Sequence, residues 1–104
     1  MSEESQLGPS YDGTVVLDIG GDVGALILLA PETMAGDEIE ISPVGSEGQR
    51  THVAIRERRG AGGVRYAAIY PALHAGEYTL WDLAGKPADT VRIVGGEVTQ
   101  IDWR

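Results

Sequence analysis

Short runs rich in β-branched residues recur about every ten residues along this chain and constrain its fold more than any other feature. Glycine, proline and aspartate separate the runs, and this spacing is typical of an all-β sandwich or barrel. No window carries an apolar stripe at helical spacing over three turns. We therefore predict an all-β antiparallel sandwich of about seven to eight strands. The predicted strands cover residues 14–19, 25–29, 38–42, 51–58, 64–70, 77–81, 90–94 and 98–103.

Apolar and polar residues alternate within the runs, which assigns each strand an inner and an outer face. Ile39 and Ile41, for example, alternate with Glu38 and Glu40. The run 25–29 is apolar on both faces and predicts a central or covered strand. The predicted core consists of Val15, Leu17, Ile19, Ile39, Ile41, Val53, Ile55, Ile69, Leu73, Tyr78, Leu80, Val91 and Ile93.

The 104 residues provide for a single domain, predicted over residues 13–104 after a flexible acidic tail at residues 1–12. The N-terminus has neither the basic nor the apolar region of a signal peptide, which favours a cytoplasmic location. No stretch approaches the roughly 18 apolar residues that a membrane-spanning helix needs. We therefore expect a soluble protein that does not enter a membrane.

Charge and composition exclude several classes of function. A net charge of −8 argues against binding to nucleic acid or an anionic membrane. The absence of cysteine excludes disulfides, thiolate metal sites and cysteine nucleophiles. Nucleophile and phosphate-binding motifs are missing, and nothing in the sequence indicates a cofactor.

The segment 70–80 carries a Leu-x-x-Gly-x-Tyr step, Leu73 to Tyr78, and the strand Val91-Arg92-Ile93 and a Gly95-Gly96 turn follow it. In this it resembles the closing strands of prealbumin-like sandwiches, namely the collagen-adhesin B-type and carboxypeptidase-regulatory-like domains. The resemblance implies that Leu73 and Tyr78 fill the core at a corner, with the Tyr78 hydroxyl bonded to upstream backbone. It implies no activity, because such modules are mostly spacers, adhesion units or accessory domains.

Predicted hairpin pairing brings five side chains to one sheet surface. Folding 38–42 onto 51–58 about Glu47, and 51–58 onto 64–70 about Ala61, aligns the apolar residues of all three strands. Together the five polar side chains could bind an anionic or planar ligand through cation–π contacts and charge-assisted hydrogen bonds. The alternative is a set of cross-strand pairs, each worth a few tenths of a kcal/mol. The predicted ligand-binding residues are His52, opposite Tyr70 and Ser42, and Arg56, opposite Tyr66 and Glu38.

Asp18 and Asp22 lie in a glycine-rich segment and are candidate calcium ligands. A hard cation requires six to eight oxygen atoms, of which two aspartates supply only a part. The alternative is a glycine-rich turn between two strands.

Arg56, Arg58, Arg59 and Arg65 cluster in one hairpin of an otherwise acidic chain. Such a basic tip could bind an acidic partner protein or a second copy of the chain. The leading hypothesis is therefore a non-catalytic interaction or binding domain that acts as a small stand-alone protein. Two alternatives stay open: a small-ligand or metal-binding protein that uses the surface around His52, and a small enzyme whose site forms between subunits.

Overall fold

The computed structural model describes residues 16–104, which form two four-stranded sheets. The first sheet has the order β4-β5-β1-β8 and the second the order β3-β2-β6-β7. A 3-10 helix, Glu32–Met34, links β1 to β2. The predicted all-β sandwich is thereby confirmed. The strands are β1 Val23–Ala30, β2 Glu38–Pro43, β3 Thr51–Ala54, β4 Arg56–Gly60, β5 Gly63–His74, β6 Gly76–Trp81, β7 Pro87–Ile93 and β8 Val98–Asp102.

One neighbouring pair, β1 and β8, is parallel, and the others are antiparallel. The parallel pair arises because β8 follows β7, which lies in the second sheet, so that the chain crosses between layers before it pairs with β1. β1 lies between β5 and β8, and its residues are buried on both faces. The prediction of a central strand at 25–29 is therefore confirmed.

The core between the sheets agrees largely with the prediction. Of the predicted core residues, Val53 and Leu73 are partly buried and pack against it. Leu17 and Ile19 are half-buried and belong to no strand, because among residues 16–104 the first strand begins at Val23. Three predictions fall on residues outside the described part of the chain. They are the tail at residues 1–12, the first two residues of the predicted strand 14–19, and Val15 as a core residue. Ile69 is buried but lies outside the core cluster between the sheets, because its neighbours Ala68 and Tyr70 are the residues of β5 that point inward. The other buried predicted residues are Ile39, Ile41, Ile55, Tyr78, Leu80, Val91 and Ile93.

The predicted strand 51–58 is instead two strands in different sheets, divided at Ile55. Ile55 is buried, donates its backbone N–H to Asp37 O and accepts a hydrogen bond from Gly36 N–H. These bonds satisfy its backbone polar groups at the point where the chain changes sheet. β3 therefore pairs with β2, whereas β4 pairs with β5.

Both predicted registers are wrong, and the turns give the reason. Glu40, and not Ser42, lies opposite His52, a shift of two residues that preserves the faces. Two successive turns, closed by Ser46 N–H to Pro43 O and Gln49 N–H to Ser46 O, set this pairing. In the β4–β5 hairpin a two-residue loop sets Gly60 opposite Gly63, a shift of one residue that reverses the faces.

The corner at Tyr78 has the geometry that the resemblance implied. The Tyr78 hydroxyl donates a 2.7 Å hydrogen bond to the carbonyl oxygen of His74, just upstream. The side chain is buried and its phenol remains hydrogen-bonded, so burial carries no cost of an unpaired hydroxyl. Tyr78 thus ties the β5–β6 corner to the core.

Candidate functional site

The hairpin of β4 and β5 places three arginines on the outer face of the first sheet. Arg58 lies directly opposite Arg65, and Arg56 lies opposite Ala67, which follows Arg65 on the same face. The inner face of β5 instead contributes Ala68 to the core. We call the set Arg56, Arg58 and Arg65 the arginine face.

Members of the arginine face differ in exposure. Arg56 and Arg65 are exposed, whereas Arg58 is only 6% exposed. The Arg58 Nε donates a 3.3 Å hydrogen bond to the carbonyl oxygen of Ala67. Two guanidinium groups of the arginine face, those of Arg56 and Arg65, are therefore exposed to solvent. The third, that of Arg58, lies against the sheet.

Most other arginines of the described chain are neutralised locally by a carboxylate. Within residues 16–104, no ion pair joins Arg56 or Arg65 to a carboxylate. Like charges directly opposite each other on a sheet are destabilising. Arg56 and Arg65 therefore retain a positive charge at the exposed part of the arginine face. The local pairs are Arg50–Glu40, Arg59–Glu57, Arg92–Glu77 and Arg104–Asp102.

The predicted ligand surface is not assembled as expected. His52 lies on the second sheet, where its Nε2 is 3.7 Å from the carboxylate of Glu38. Arg56 lies on the outer face of the first sheet, because the chain changes sheet at Ile55. Only His52 and Glu38 of the five predicted residues are brought together.

Neither predicted tyrosine faces an open ligand surface with His52. Tyr70 is buried, and its hydroxyl donates to the carbonyl oxygen of Ile39. Burial, and then the charge of Glu40, raises the pKa of Tyr70 above its ordinary range. Its phenol is therefore a neutral hydrogen-bond donor that links the sheets.

Tyr66 is half-buried, packs against the core and lies opposite Glu57. Partial removal from water, and then the carboxylates of Glu32 and Glu57, raises its pKa, while Arg59 opposes the change. Tyr66 therefore also keeps its proton at neutral pH and supplies no phenolate.

The outer face of the second sheet carries a cluster that the sequence did not predict. The Arg50 guanidinium lies 3.8 Å from the centroid of the Trp81 ring and 2.9 Å from a carboxylate oxygen of Glu40. The Trp81 Nε1–H donates a 3.0 Å hydrogen bond to Ser42 Oγ. Alternation correctly put Ser42 on the outer face, but only the tertiary structure shows that Trp81 and Arg50 cover it. Because the charged and polar groups of this cluster pair with one another, the cluster stabilises the sheet.

The candidate calcium ligands Asp18 and Asp22 belong to no group of side chains that could hold a metal ion within residues 16–104. Asp22 lies 3.8 Å from His74 Nδ1, with both side chains exposed. Asp18 is exposed, and its backbone N–H donates to Pro71 O. In the part of the chain that the structure describes, no group of three or more histidine or acidic side chains could hold a metal ion.

Comparison of the chain with protein-family models, curated proteins and solved structures gave no match. Among residues 16–104, no helix has the length and apolar content to cross a membrane.

Proposed function

We propose that the protein is a non-catalytic interaction domain that binds an acidic segment of a partner protein through the arginine face. The observation that carries this proposal is the exposure of Arg56 and Arg65, which no ion pair within residues 16–104 joins to a carboxylate, in a chain of net charge −8. The two side chains share the outer face of one hairpin. An incoming anion can pair with both guanidinium groups, so their charges favour binding.

Arginine suits this role because its planar guanidinium can form two parallel hydrogen bonds with one carboxylate. The exposed side chains of Arg56 and Arg65 are open to such contacts. An extended acidic segment, with side chains on alternate positions, matches the spacing of arginines on neighbouring strands. The expected partner is therefore a short run of aspartate or glutamate residues.

A protein segment fits better than nucleic acid. The chain as a whole is acidic, and its net charge of −8 repels the dense, extended charge of a nucleic acid. A short acidic peptide contacts the arginines without bringing many further charges near the rest of the chain. Such binding is expected to weaken steeply with added salt.

The test uses hexaglutamate as a defined probe and monitors backbone amides by NMR. We expect shifts concentrated at Arg56, Arg58 and Arg65 that disappear in an Arg56→Glu/Arg65→Glu variant. The control is Arg92→Glu, which makes the same type of substitution once, at an exposed arginine of the second sheet. Uniform shifts over both sheets, or equal loss of binding in the control, would overturn the proposal.

A second copy of the chain is the alternative acidic partner. Sedimentation velocity over a range of protein concentrations separates the two cases, because self-association depends on the concentration of this chain alone. A prealbumin-like origin fits this proposal, and the Tyr78–His74 corner supports that origin. The small-ligand alternative has less support, since its five residues do not share one surface.

A further inference from the structure

Strand β4 forms one edge of the first sheet. Within residues 16–104 it lies at the end of the strand order and pairs only with β5. We call the side of β4 that is turned away from β5 the β4 edge. The backbone groups along a sheet edge can form a ladder with another extended chain. Four of the five residues of β4 are exposed, namely Arg56, Glu57, Arg59 and Gly60.

Charge distinguishes β4 from the other edge strands of residues 16–104, which are β3, β7 and β8. β4 contains three arginines and one glutamate, so positive charge is in excess. β7 contains one aspartate and one arginine, and β8 contains one aspartate. β3 contains no acidic residue, and its one basic residue is His52. Because charged side chains on an edge repel strands of like charge, an acidic segment is attracted to β4 more than to the other three edges.

The two faces of β4 offer different partners to such a segment. On the outer face Arg56 is exposed, and no ion pair within residues 16–104 joins it to a carboxylate. On the opposite face Arg59 forms an ion pair with Glu57. Successive side chains of a strand point to opposite faces. Acidic residues are therefore required at only every second position of the segment, on the side of Arg56.

We propose that the acidic segment binds as an added strand on the β4 edge and extends the first sheet to five strands. This inference rests on the proposed function and adds to it the geometry and the sequence pattern of the partner. Main-chain hydrogen bonds to β4 supply affinity, and side chains at alternate positions supply specificity. The expected partner is an extended segment in which acidic residues alternate with uncharged ones.

Strand spacing brings both exposed arginines within range of the added strand. Neighbouring strands lie about 4.8 Å apart, so Arg56 is beside the segment and Arg65, on β5, is about 10 Å away. The Debye length is also about 10 Å at 0.1 M salt. Arg56 therefore forms a direct ion pair with the segment, and Arg65 adds to the attraction.

Peptides that are methylated on alternate backbone nitrogens test the proposal without any change in the protein. The probe is the hexapeptide Glu-Thr-Glu-Thr-Glu-Thr, and its affinity is measured by isothermal titration calorimetry. An added strand turns only alternate N–H groups toward its neighbour. Methylation of the three glutamate nitrogens or of the three threonine nitrogens removes one set of N–H groups. We expect one methylated peptide to bind at least about tenfold more weakly than the parent, and the other to keep its affinity within about twofold.

The outcomes separate this inference from the proposed function. Equal affinity of the two methylated peptides would overturn the added strand. The proposed function would survive that result if Arg56→Glu/Arg65→Glu still abolishes binding of the parent peptide. Binding of hexaglutamate but not of the parent peptide would also overturn the added strand alone. If neither peptide binds, or if both bind the double variant as tightly as wild type, the proposed function fails and the inference fails with it.

Backbone amide NMR locates the bound peptide. We expect the largest shifts and the strongest slowing of hydrogen exchange within Arg56–Gly60, and strands β7 and β8 serve as internal controls. Effects at β7 or β8 as large as those at β4 would contradict binding at the β4 edge. The matched control peptide Lys-Thr-Lys-Thr-Lys-Thr has the same alternation and the opposite charge, and it should not bind. Equal binding of this peptide would overturn the role given to the arginines.

Discussion

The phenolic hydroxyl of Tyr70, on the first sheet, donates a hydrogen bond to the carbonyl oxygen of Ile39, on the second sheet. Both residues belong to the core, so a polar contact joins the two layers inside an apolar region. A hydrogen bond in such surroundings orients the sheets as well as stabilising them.

Tyr70→Phe should lower the free energy of unfolding by about 1–2 kcal/mol, because it removes the hydroxyl and leaves the Ile39 carbonyl without this partner. Urea denaturation measures the change. Tyr66→Phe is the control, since Tyr66 is half-buried and donates no hydrogen bond within residues 16–104. Equal effects of the two substitutions would show that the cross-sheet bond contributes nothing of its own.

Alkaline pH should reduce the advantage of wild type over Tyr70→Phe. Burial raises the folded-state pKa of Tyr70 above the ordinary value of 10.0. The unfolded chain therefore loses its proton first, and the contribution of Tyr70 is present below pH 10 and lost as pH rises toward the folded pKa. Urea denaturation of both proteins from about pH 8 to 11 checks this expectation. A constant difference across that range would contradict it.

Ser42→Ala should lower the free energy of unfolding by about 1–2 kcal/mol, since the buried Trp81 N–H loses its acceptor. Faster hydrogen exchange of the Trp81 indole N–H is the specific readout. Ser46→Ala is the matched control, because the Ser46 hydroxyl makes no hydrogen bond in the described part of the chain. Unchanged indole exchange in Ser42→Ala would show that the bond does not protect Trp81.

Gly95→Ala should destabilise the fold by about 2–4 kcal/mol, the range of severe steric substitutions. A Cβ at Gly95 would lie 2.0 Å from the carbonyl oxygen of Gly21, so the turn before β1 would have to move. Gly62→Ala is the control, because a Cβ there meets nothing within 4 Å. We expect Gly62→Ala to change stability by less than about 1 kcal/mol. Thermal unfolding of both variants decides whether the Gly21–Gly95 approach matters.

Arg65→Glu should raise the free energy of unfolding by about 0.2–1 kcal/mol while abolishing hexaglutamate binding. The substitution replaces a like-charge pair with Arg58 by an opposite-charge pair. Arg92→Glu should instead lower stability, because it breaks the ion pair with Glu77. A loss of stability in Arg65→Glu would mean that the arginine face carries no electrostatic strain.

The strands could be predicted from the sequence because burial of one face imposes a period of two on the apolar residues of each strand. Ile39 and Ile41 were correctly placed in the core on this basis, and the doubly apolar run 25–29 correctly predicted the central strand β1. The change from one sheet to the other at Ile55 could not be predicted from the sequence. Alternation continues through residues 51–58, and Ile55 is a core residue whether the chain stays in one sheet or changes to the other.

The all-β class, most of the core and the concentration of arginines between residues 56 and 65 follow from the amino-acid sequence alone. These properties depend on composition and alternation within single strands. In contrast, the positions of His52 and Arg56 on different sheets, and of Arg58 and Arg65 on one outer face beside buried apolar residues, are visible only in the folded chain. The reason is that a hairpin loop one residue shorter or longer moves every side chain of the following strand to the opposite face of the sheet. The alternation of apolar and polar residues within a strand contains no information about the length of that loop.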